Sequence, residues 1–376
     1  MNGRGIRIFR VQGIQVVIDY TWFIIFMLVV AGLAGYYFPQ NYPHVGLLQR
    51  WLISIIAAIL VFVSVLLHEF SHSLVAKRQG MQIQRIVLFI FGGIAQIRGE
   101  PPDARSEFLI AAAGPACSVV LGVSFLLAST PLGALGGEGL EAVLWYLGYV
   151  NLALVGFNLV PGFPLDGGRI LRAALWHKTG DLRRSTRVVS NIGKLFAYVL
   201  IGVGFFTLLA DVLVQGLFFI FIGMFLYQAA VSGYQQVALR EGLSGIAVAE
   251  LMTHDPVTVP AHLSLEELVN AYFFRHRFAS FPVERHGQLV GMININQIKD
   301  VPREEWSRTS VQACMSPLQS VAALCPDDDA FEVLMRMVED GVGCLPVVAD
   351  GKLVGIVSRA DILGFVHMRA ELGAGV

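Results

Sequence analysis

The chain has 376 residues, of which 55% are hydrophobic and only 15% are charged. A soluble globular protein carries about 25% charged residues, so this composition excludes an ordinary soluble protein and indicates a chain that lies partly in lipid. The formal net charge of -1 gives no reason to expect a nucleic-acid partner. The four cysteines form no CxxC pair, which argues against a thiolate zinc site and a disulfide framework and fits a reducing compartment.

Six apolar stretches are each long enough to cross a hydrocarbon core, which needs about 20 helical residues. They are predicted near residues 20–37, 51–75, 108–128, 142–160, 195–210 and 213–232. Lys and Arg cluster before the first, after the second and after the fourth stretch, whereas the intervening loops 38–50 and 129–141 carry few charges. By the positive-inside rule, both termini are expected in the cytosol. The last two stretches are expected to form a tight hairpin around Asp211.

The second stretch contains the sequence HEFSH at residues 68–72. Two histidines four residues apart lie on one face of a helix and can bind one metal ion, while Glu69 lies close enough to take a proton from a zinc-activated water. Ionisable side chains within an apolar helix are costly and therefore indicate a functional site. Counting 1.5 Å per residue from Trp51 places His68 roughly 25 Å into a core about 30 Å thick, just inside its cytosolic face.

A catalytic zinc site normally has three protein ligands, and two histidines supply only two of them. The candidate for the third ligand is Asp166, within the sequence NLVPGFPLDGGR at residues 158–169. Pro161, Gly162 and Pro164 break the helix there, and irregular backbone at membrane depth is tolerated only beside a cavity or inside protein. The alternative is that Asp166 only caps the helix that follows it.

These two motifs resemble those of the site-2 protease family of intramembrane metalloproteases, and Gly114–Ser118 is similar to a small-residue motif of that family. The resemblance covers residues 1–240. It implies one Zn²⁺ per chain, bound by His68, His72 and Asp166. It also implies that Glu69 is the general base and that Asn158 stabilises the tetrahedral oxyanion. The alternative role for Asn158 is backbone capping in an unwound helix.

Residues 91–97, which include Gly92 and Gly93, are too few and too rich in glycine for another span. They are predicted to form a strand or hairpin against the membrane, in a small sheet that residues 6–17 join. In the resembled family such a segment presents an edge to the substrate. A substrate helix must unwind before hydrolysis, and pairing with a strand edge replaces its lost hydrogen bonds. The alternative is a plain amphipathic connector.

From residue 246 the composition is that of a soluble domain, with an internal repeat at a constant offset of 64 residues. The sequences FPV and GQLVGMI in the first copy recur as LPV and GKLVGIV in the second. Each copy is predicted to form a strand, a helix, two strands joined by a glycine turn, and a final helix. The repeat resembles a tandem CBS pair over residues 246–368, with copies at 246–302 and 309–368.

CBS pairs often bind adenine nucleotides such as ATP, ADP or AMP between their copies. The ribose-contacting pattern of that family is present at Ser358–Asp361, where Ser358 and Asp361 match it, although Asp361 could be only a helix cap. The first copy has Asn294–Gln297 at that place and departs from the pattern, so at most one intact nucleotide site is expected. The alternative is a structural module, or one through which the chain forms a homodimer.

The predicted fold is a mainly α-helical membrane protein with six spans and a small membrane-associated β element, followed by an α/β cytosolic pair. The predicted function is zinc-dependent cleavage of transmembrane segments of membrane-anchored proteins, in regulated intramembrane proteolysis at the cell membrane of a prokaryote. Two alternatives are a transporter and an inactive protein that grips transmembrane helices. A transport path does not need a glutamate between two metal-spaced histidines, and the sequence lacks the repeated membrane halves of many transporters.

Overall fold

The structure, a computed structural model, describes residues 5–97, 99–210 and 212–372. The chain divides between Gln235 and Gln236 into two compact units. The first unit holds the predicted membrane spans and the second holds the predicted repeat, so each unit is described by itself.

Within the residues that the structure describes, six helices are long and apolar enough to cross a membrane, which confirms the predicted number. In chain order they are spans 1 to 6: Thr21–Asn41, Leu47–Arg78, Ala104–Gly136, Glu138–Asn158, Leu182–Leu209 and Leu213–Leu243. Span 1 contains a π-helical turn at Leu33–Tyr37. A shorter helix, Asp166–Thr179, follows span 4 and is called the Asp166 helix below. The expected turn at Asp211 lies outside the described residues.

The last two spans are longer than the apolar pattern predicts. Span 5 begins at Leu182 rather than near residue 195, and span 6 ends at Leu243 rather than near residue 232. The early part of span 5 contains Arg183, Arg184 and Arg187, which lower its hydropathy. Because arginine is a good helix former, the helix continues beyond the apolar segment that a hydropathy pattern detects.

The interior of the membrane unit is apolar where spans 1, 2 and 4 meet. Leu33, Phe38, Ala57 and Leu147 are almost completely buried in one cluster there. The outward faces of the spans also carry large apolar side chains, many of them exposed. In water such surfaces would drive association, so their presence on all six spans fits a bundle surrounded by lipid.

A four-stranded sheet belongs to the same unit, with the strand order β1-β2-β3-β4. Its strands are β1 at Gly5–Val11, β2 at Ile14–Asp19, β3 at Ile83–Phe89 and β4 at Gly92–Ile97. Strands β2 and β3 are parallel, whereas β1–β2 and β3–β4 are antiparallel pairs. The prediction that the N-terminal stretch joins the sheet formed around Gly92 and Gly93 is confirmed, and β4 is an edge strand.

The second unit contains two small sheets, ordered β6-β7-β8-β9 and β10-β11-β5. The strands are β5 at Thr253–His254, β6 at Val259–Pro260, β7 at Ser280–Arg285, β8 at Gln288–Asn294, β9 at Ser316–Pro317, β10 at Cys344–Ala349 and β11 at Lys352–Ser358. The helices of four or more residues are Val248–Leu251, Leu265–Leu268 with the π-turn Val269–Phe273, Ile295–Lys299, Val311–Cys314, Ala330–Glu339 and Arg359–Glu371. Short turns of helix lie at Arg303–Glu305, Leu318–Ser320 and Phe274–His276.

The strands confirm the predicted repeat. Adding 64 to the residue numbers of β7 and β8 gives the bounds of β10 and β11. The opening segments of the two copies are exchanged. Strand β5 of the first copy pairs with β11 of the second, and β9 of the second copy pairs with β8 of the first. Each copy therefore completes the sheet of the other, which joins the two copies into one α/β body.

Candidate metal centre

His68 and His72 lie on the inward face of span 2. They are 3% and 4% exposed, and their Nε2 atoms are 3.2 Å apart. Four residues amount to little more than one helical turn, which explains why the two rings point to the same place. The predicted pairing of the histidines is therefore present in the fold.

Asp166 reaches the same point from a segment far away in the chain. It is the first residue of the Asp166 helix, after the broken backbone that follows span 4. Its Oδ2 atom lies 3.1 Å from Nε2 of His68 and 3.3 Å from Nε2 of His72. In the part of the chain that the structure describes, these three residues form the only group of His, Cys, Asp or Glu side chains that could hold a metal ion.

The outer nitrogen of each imidazole has a partner on span 3. Nδ1 of His72 lies 2.6 Å from the carbonyl oxygen of Ile110, and Nδ1 of His68 lies 2.9 Å from Oγ of Ser118. A carbonyl can only accept, so Nδ1 of His72 carries the proton and Nε2 of the neutral ring keeps its lone pair. Partners of this kind fix the tautomer and the ring orientation of metal-binding histidines.

Gly114, also on span 3, has no side chain and therefore leaves room for the two imidazole rings. A Cβ atom added there would lie 2.6 Å from Nε2 of His68 and would also clash with Nε2 of His72. Any larger residue at this position would displace the imidazoles. The requirement for a small residue in Gly114–Ser118 thus has a direct steric cause.

The donor set fits zinc in chemistry and in size. Two imidazoles and one carboxylate, with a fourth position open, make up a known type of catalytic zinc site. With ligand distances of about 2.0–2.1 Å, the donor atoms of a tetrahedral zinc ion lie about 3.3 Å from one another. The three separations between Nε2 of His68, Nε2 of His72 and Oδ2 of Asp166 are 3.2, 3.1 and 3.3 Å.

Comparison with known proteins places both parts of the chain in known families. The model of peptidase family M50 matches residues 56–133 and 128–201, and the CBS domain model matches residues 248–304 and 311–368. A zinc metalloprotease of Methanocaldococcus jannaschii is 34% identical over 371 residues, which cover 98% of this chain and 98% of that protein. The chain belongs to peptidase family M50, the site-2 protease family.

Other relatives of this M50 chain extend over both of its units. Rip3 of Mycobacterium tuberculosis is 34% identical over 93% of this chain and 87% of its own length. Among solved structures, the site-2 protease of Methanocaldococcus jannaschii is 34% identical over 61% of this chain and 95% of that chain. The TM-score with that structure is 0.44, and the family membership follows from the sequence relatives. The chain is thus a multi-pass membrane member of a zinc metalloprotease family with a tandem CBS pair.

Glu69 of this M50 protein is half-buried on span 2, within electrostatic range of the three candidate ligands. Strand β4 packs against it, because a Cβ atom added to Gly93 would lie 2.5 Å from Cγ of Glu69. Gly92 adopts a φ of 123°, a backbone conformation that other residues rarely adopt. Gly93 therefore lets the edge strand approach the side chain of Glu69, and Gly92 provides the backbone conformation at the start of that strand.

Two asparagines lie on span 4. Asn158 is its last residue and is half-buried, as expected for a residue next to the broken backbone. Asn151, which the sequence reasoning did not single out, is buried and donates from Nδ2 to Oγ of Ser64 at 3.2 Å. The two asparagines are seven residues apart and thus share one helical face, a spacing that could have drawn attention to Asn151.

The predicted nucleotide residues have a clear local role. Oδ2 of Asp361 accepts hydrogen bonds from the backbone N–H and the hydroxyl of Ser358, at 2.9 and 2.7 Å. This pair caps the helix Arg359–Glu371. In the first copy, Asn294 and Gln297 cap the helix Ile295–Lys299 in a similar way. Strands β8 and β11 are thus each followed by a helix with the same kind of cap.

Proposed function

We propose that this chain is a zinc-dependent intramembrane endopeptidase that cleaves peptide bonds in the transmembrane segments of other membrane proteins. The observation that carries the proposal is the triangle of donor atoms from His68, His72 and Asp166 inside a six-span bundle, called the donor triangle below, with both histidines buried and Glu69 nearby. These three residues are proposed to bind one Zn²⁺ per chain. Ionisable groups this deep in an apolar bundle are costly, and a hydrolytic metal site explains why all four are present.

Glu69 is proposed as the general base. Zinc at this site would supply a Lewis acid that activates a water molecule and polarises the scissile carbonyl. Glu69 would accept the proton of the attacking water and then donate it to the leaving amine. Glu69 suits this role because its carboxylate interacts with His68, His72 and Asp166 without belonging to the donor triangle.

Asn158 is proposed to stabilise the negative oxygen of the tetrahedral intermediate. Its amide group can donate a hydrogen bond, and its place at the end of span 4 precedes the segment that carries Asp166. A donor of this kind acts most strongly where water is excluded.

Strand β4 is proposed to bind the unwound substrate. A transmembrane helix hides its peptide bonds in its own hydrogen bonds, so a segment of it must become extended before hydrolysis. The free edge of β4 can pair with that segment, and Gly92 and Gly93 would bring it next to Glu69. Substrate choice would then depend on how readily a helix unwinds.

The decisive experiment measures zinc content and cleavage of a model transmembrane substrate for the wild type and for Glu69→Gln. We expect about one zinc per chain in both proteins and cleavage only in the wild type. Retention of zinc without cleavage by the wild type, over several substrates, would favour an inactive binder or a transporter. A wild-type protein that binds no zinc would overturn the proposal.

We also propose an orientation and a membrane for this chain. The positive residues beside the spans support cytosolic termini and a cytosolic CBS pair, in the cell membrane of a prokaryote. His68 lies near the C-terminal end of span 2, which this orientation places toward the cytosol. Cleavage there would release the cytosolic part of a membrane-anchored protein.

For the cytosolic pair, over the proposed boundaries 246–302 and 309–368, we propose one adenine-nucleotide site that uses Ser358 and Asp361. A nucleotide can regulate cleavage only if it binds one state of the enzyme better than another. The test adds millimolar ATP, ADP or AMP to the full-length protein and measures thermal stability and cleavage. Unchanged values of both would reject nucleotide regulation and would leave a structural or dimer-forming role, which the molar mass of the detergent-solubilised protein can test.

A further inference from the structure

Arg172 is a buried arginine on the Asp166 helix, six residues after Asp166 itself. Only 4% of it is exposed. Its Nε donates a hydrogen bond of 2.6 Å to Oε1 of Glu107, and its Nη2 donates one of 3.0 Å to Oε2 of Glu100. Glu107 is completely buried, so the pair with Arg172 is an ion pair inside the protein.

Glu107 lies on span 3, on the part of that helix that contacts the two histidines of span 2. It is seven residues before Gly114 and eleven before Ser118, spacings close to two and three helical turns, so the three lie along one face. That face contacts the rings of His68 and His72 through Gly114 and Ser118. One face of span 3 thus touches both histidines of span 2 and the helix that begins at Asp166.

A buried ion pair is a poor means of stabilising a fold. Removing two charges from water costs about as much as their attraction returns, and apolar replacements of similar volume are often tolerated. What the Arg172–Glu107 pair provides is a fixed geometry. The planar guanidinium is bonded to two carboxylates and also lies 5.1 Å from the ring centroid of Phe163, in the loop before Asp166.

The distance from this pair to the metal centre is short. Six helical residues correspond to about 9 Å along the axis, so a small rotation or slide of the helix at Arg172 is passed directly to Asp166. The donor triangle needs separations close to about 3.3 Å, which leaves little tolerance for such a movement.

We propose that Arg172 is a positioning residue for the metal centre. Its pair with Glu107 holds the Asp166 helix against span 3, so that Oδ2 of Asp166 stays 3.1 and 3.3 Å from the two histidine nitrogens. This inference rests on the proposed zinc site. It assigns to Glu107 and Arg172 a role in metal affinity, although neither belongs to the donor triangle.

The test is the zinc affinity of the full-length, detergent-solubilised protein, measured by competition with a chelating dye. Arg172→Met alone leaves Glu107 as an unpaired buried charge and destabilises the fold, so the informative variant is Arg172→Met with Glu107→Gln. We expect about 10- to 100-fold weaker zinc binding, which is the usual effect of removing a partner of a metal ligand. The visible absorption of the Co²⁺-loaded variant should also change, because a displaced Asp166 alters the coordination geometry.

Arg187→Met is the control, at an exposed arginine away from the metal centre. Arg187 also donates to a side chain and lies over an aromatic ring, that of Tyr234, but on spans 5 and 6. The Arg187→Met variant should keep wild-type zinc affinity. Arg172→Lys retains the charge but lacks the planar guanidinium, so its zinc affinity should lie between those of the wild type and the double variant.

A folded double variant with wild-type zinc affinity and an unchanged Co²⁺ spectrum would overturn the positioning role of Arg172. That result differs from failure of the proposed function, in which the wild type itself binds no zinc.

Discussion

Oγ of Ser118 and Nδ1 of His68 lie 2.9 Å apart, although the two residues are 50 positions apart in the chain. Together with the carbonyl of Ile110, which accepts from His72, this contact holds both imidazoles from span 3. Span 3 contributes no side chain to the donor triangle, yet it determines where the two histidines point.

The first prediction concerns Ser118→Ala. The substitution removes the partner of His68 Nδ1 while it keeps the small size of the residue. The ring then loses its fixed orientation, and we expect zinc affinity to fall about 10-fold, at the lower end of the effect seen for such partners. Competition with a chelating dye measures the change, and the far-ultraviolet circular dichroism of the variant should match that of the wild type.

Ser129→Ala is the control for Ser118→Ala. Ser129 is buried on the same span, and its hydroxyl donates to the carbonyl of Leu126 at 2.7 Å. It should keep the zinc affinity of the wild type. An equal loss of affinity in both variants would mean that Ser118 acts through general stability rather than through His68.

Much of the fold could be predicted because the relevant signals are local. The number of spans follows from the length of the apolar runs, and the paired sheets of the second unit follow from the 64-residue repeat. The pairing of His68 with His72 follows from helical periodicity alone. Asp166 is different, since it is 98 residues from His68, and its approach depends on how the helices pack.

The remaining contacts of the centre have no clear sequence signal. Ile110 acts through a backbone carbonyl, which every residue possesses. Arg172 and Glu107 are 65 residues apart and meet only because their two helices pack together, whereas an arginine in a short helix after a loop more often faces water. A hydropathy pattern also does not predict the early start of span 5, because the arginines there lower the hydropathy of a continuous helix.

The second prediction is that Gly114→Ala disrupts the metal centre. Its new methyl group would overlap Nε2 of both histidines, so the rings must move away from Asp166. We expect zinc affinity to drop by about 100-fold, with a loss of about 1–3 kcal/mol in the free energy of unfolding. Gly202→Ala is the control, because a Cβ atom there meets nothing within 4 Å. Wild-type zinc binding by Gly114→Ala would contradict the placement of the rings.

The third prediction is that Asp166→Ala loses zinc. If Asp166 is the third ligand, the stoichiometry should fall from about one zinc per chain to far below it after gel filtration. If Asp166 only caps its helix, zinc should stay bound and stability should fall by about 0.5–2 kcal/mol. Asp181→Ala provides the comparison, since Asp181 accepts from the backbone N–H of Arg184 at the start of span 5 and should affect stability without affecting zinc.

The last prediction concerns the thiols of the second unit. Burial at the start of β10, with the carboxylate of Asp361 as a smaller contribution, raises the pKa of Cys344 to about 12. The thiolate is the reactive form, and only about 10⁻⁴ of Cys344 is present as thiolate at pH 8. Cys325, in contrast, is exposed.

At pH 8, iodoacetamide should therefore label Cys325 in the folded protein long before Cys344, as followed by mass spectrometry of the proteolytic peptides. The labelling rate of Cys344 should rise about tenfold for each pH unit, as long as the pH stays below its pKa and the fold persists. In guanidinium chloride the environment of Cys344 is lost, and the two cysteines should react at similar rates. Equal rates in the folded protein would show that Cys344 is not held in the buried environment beside Asp361.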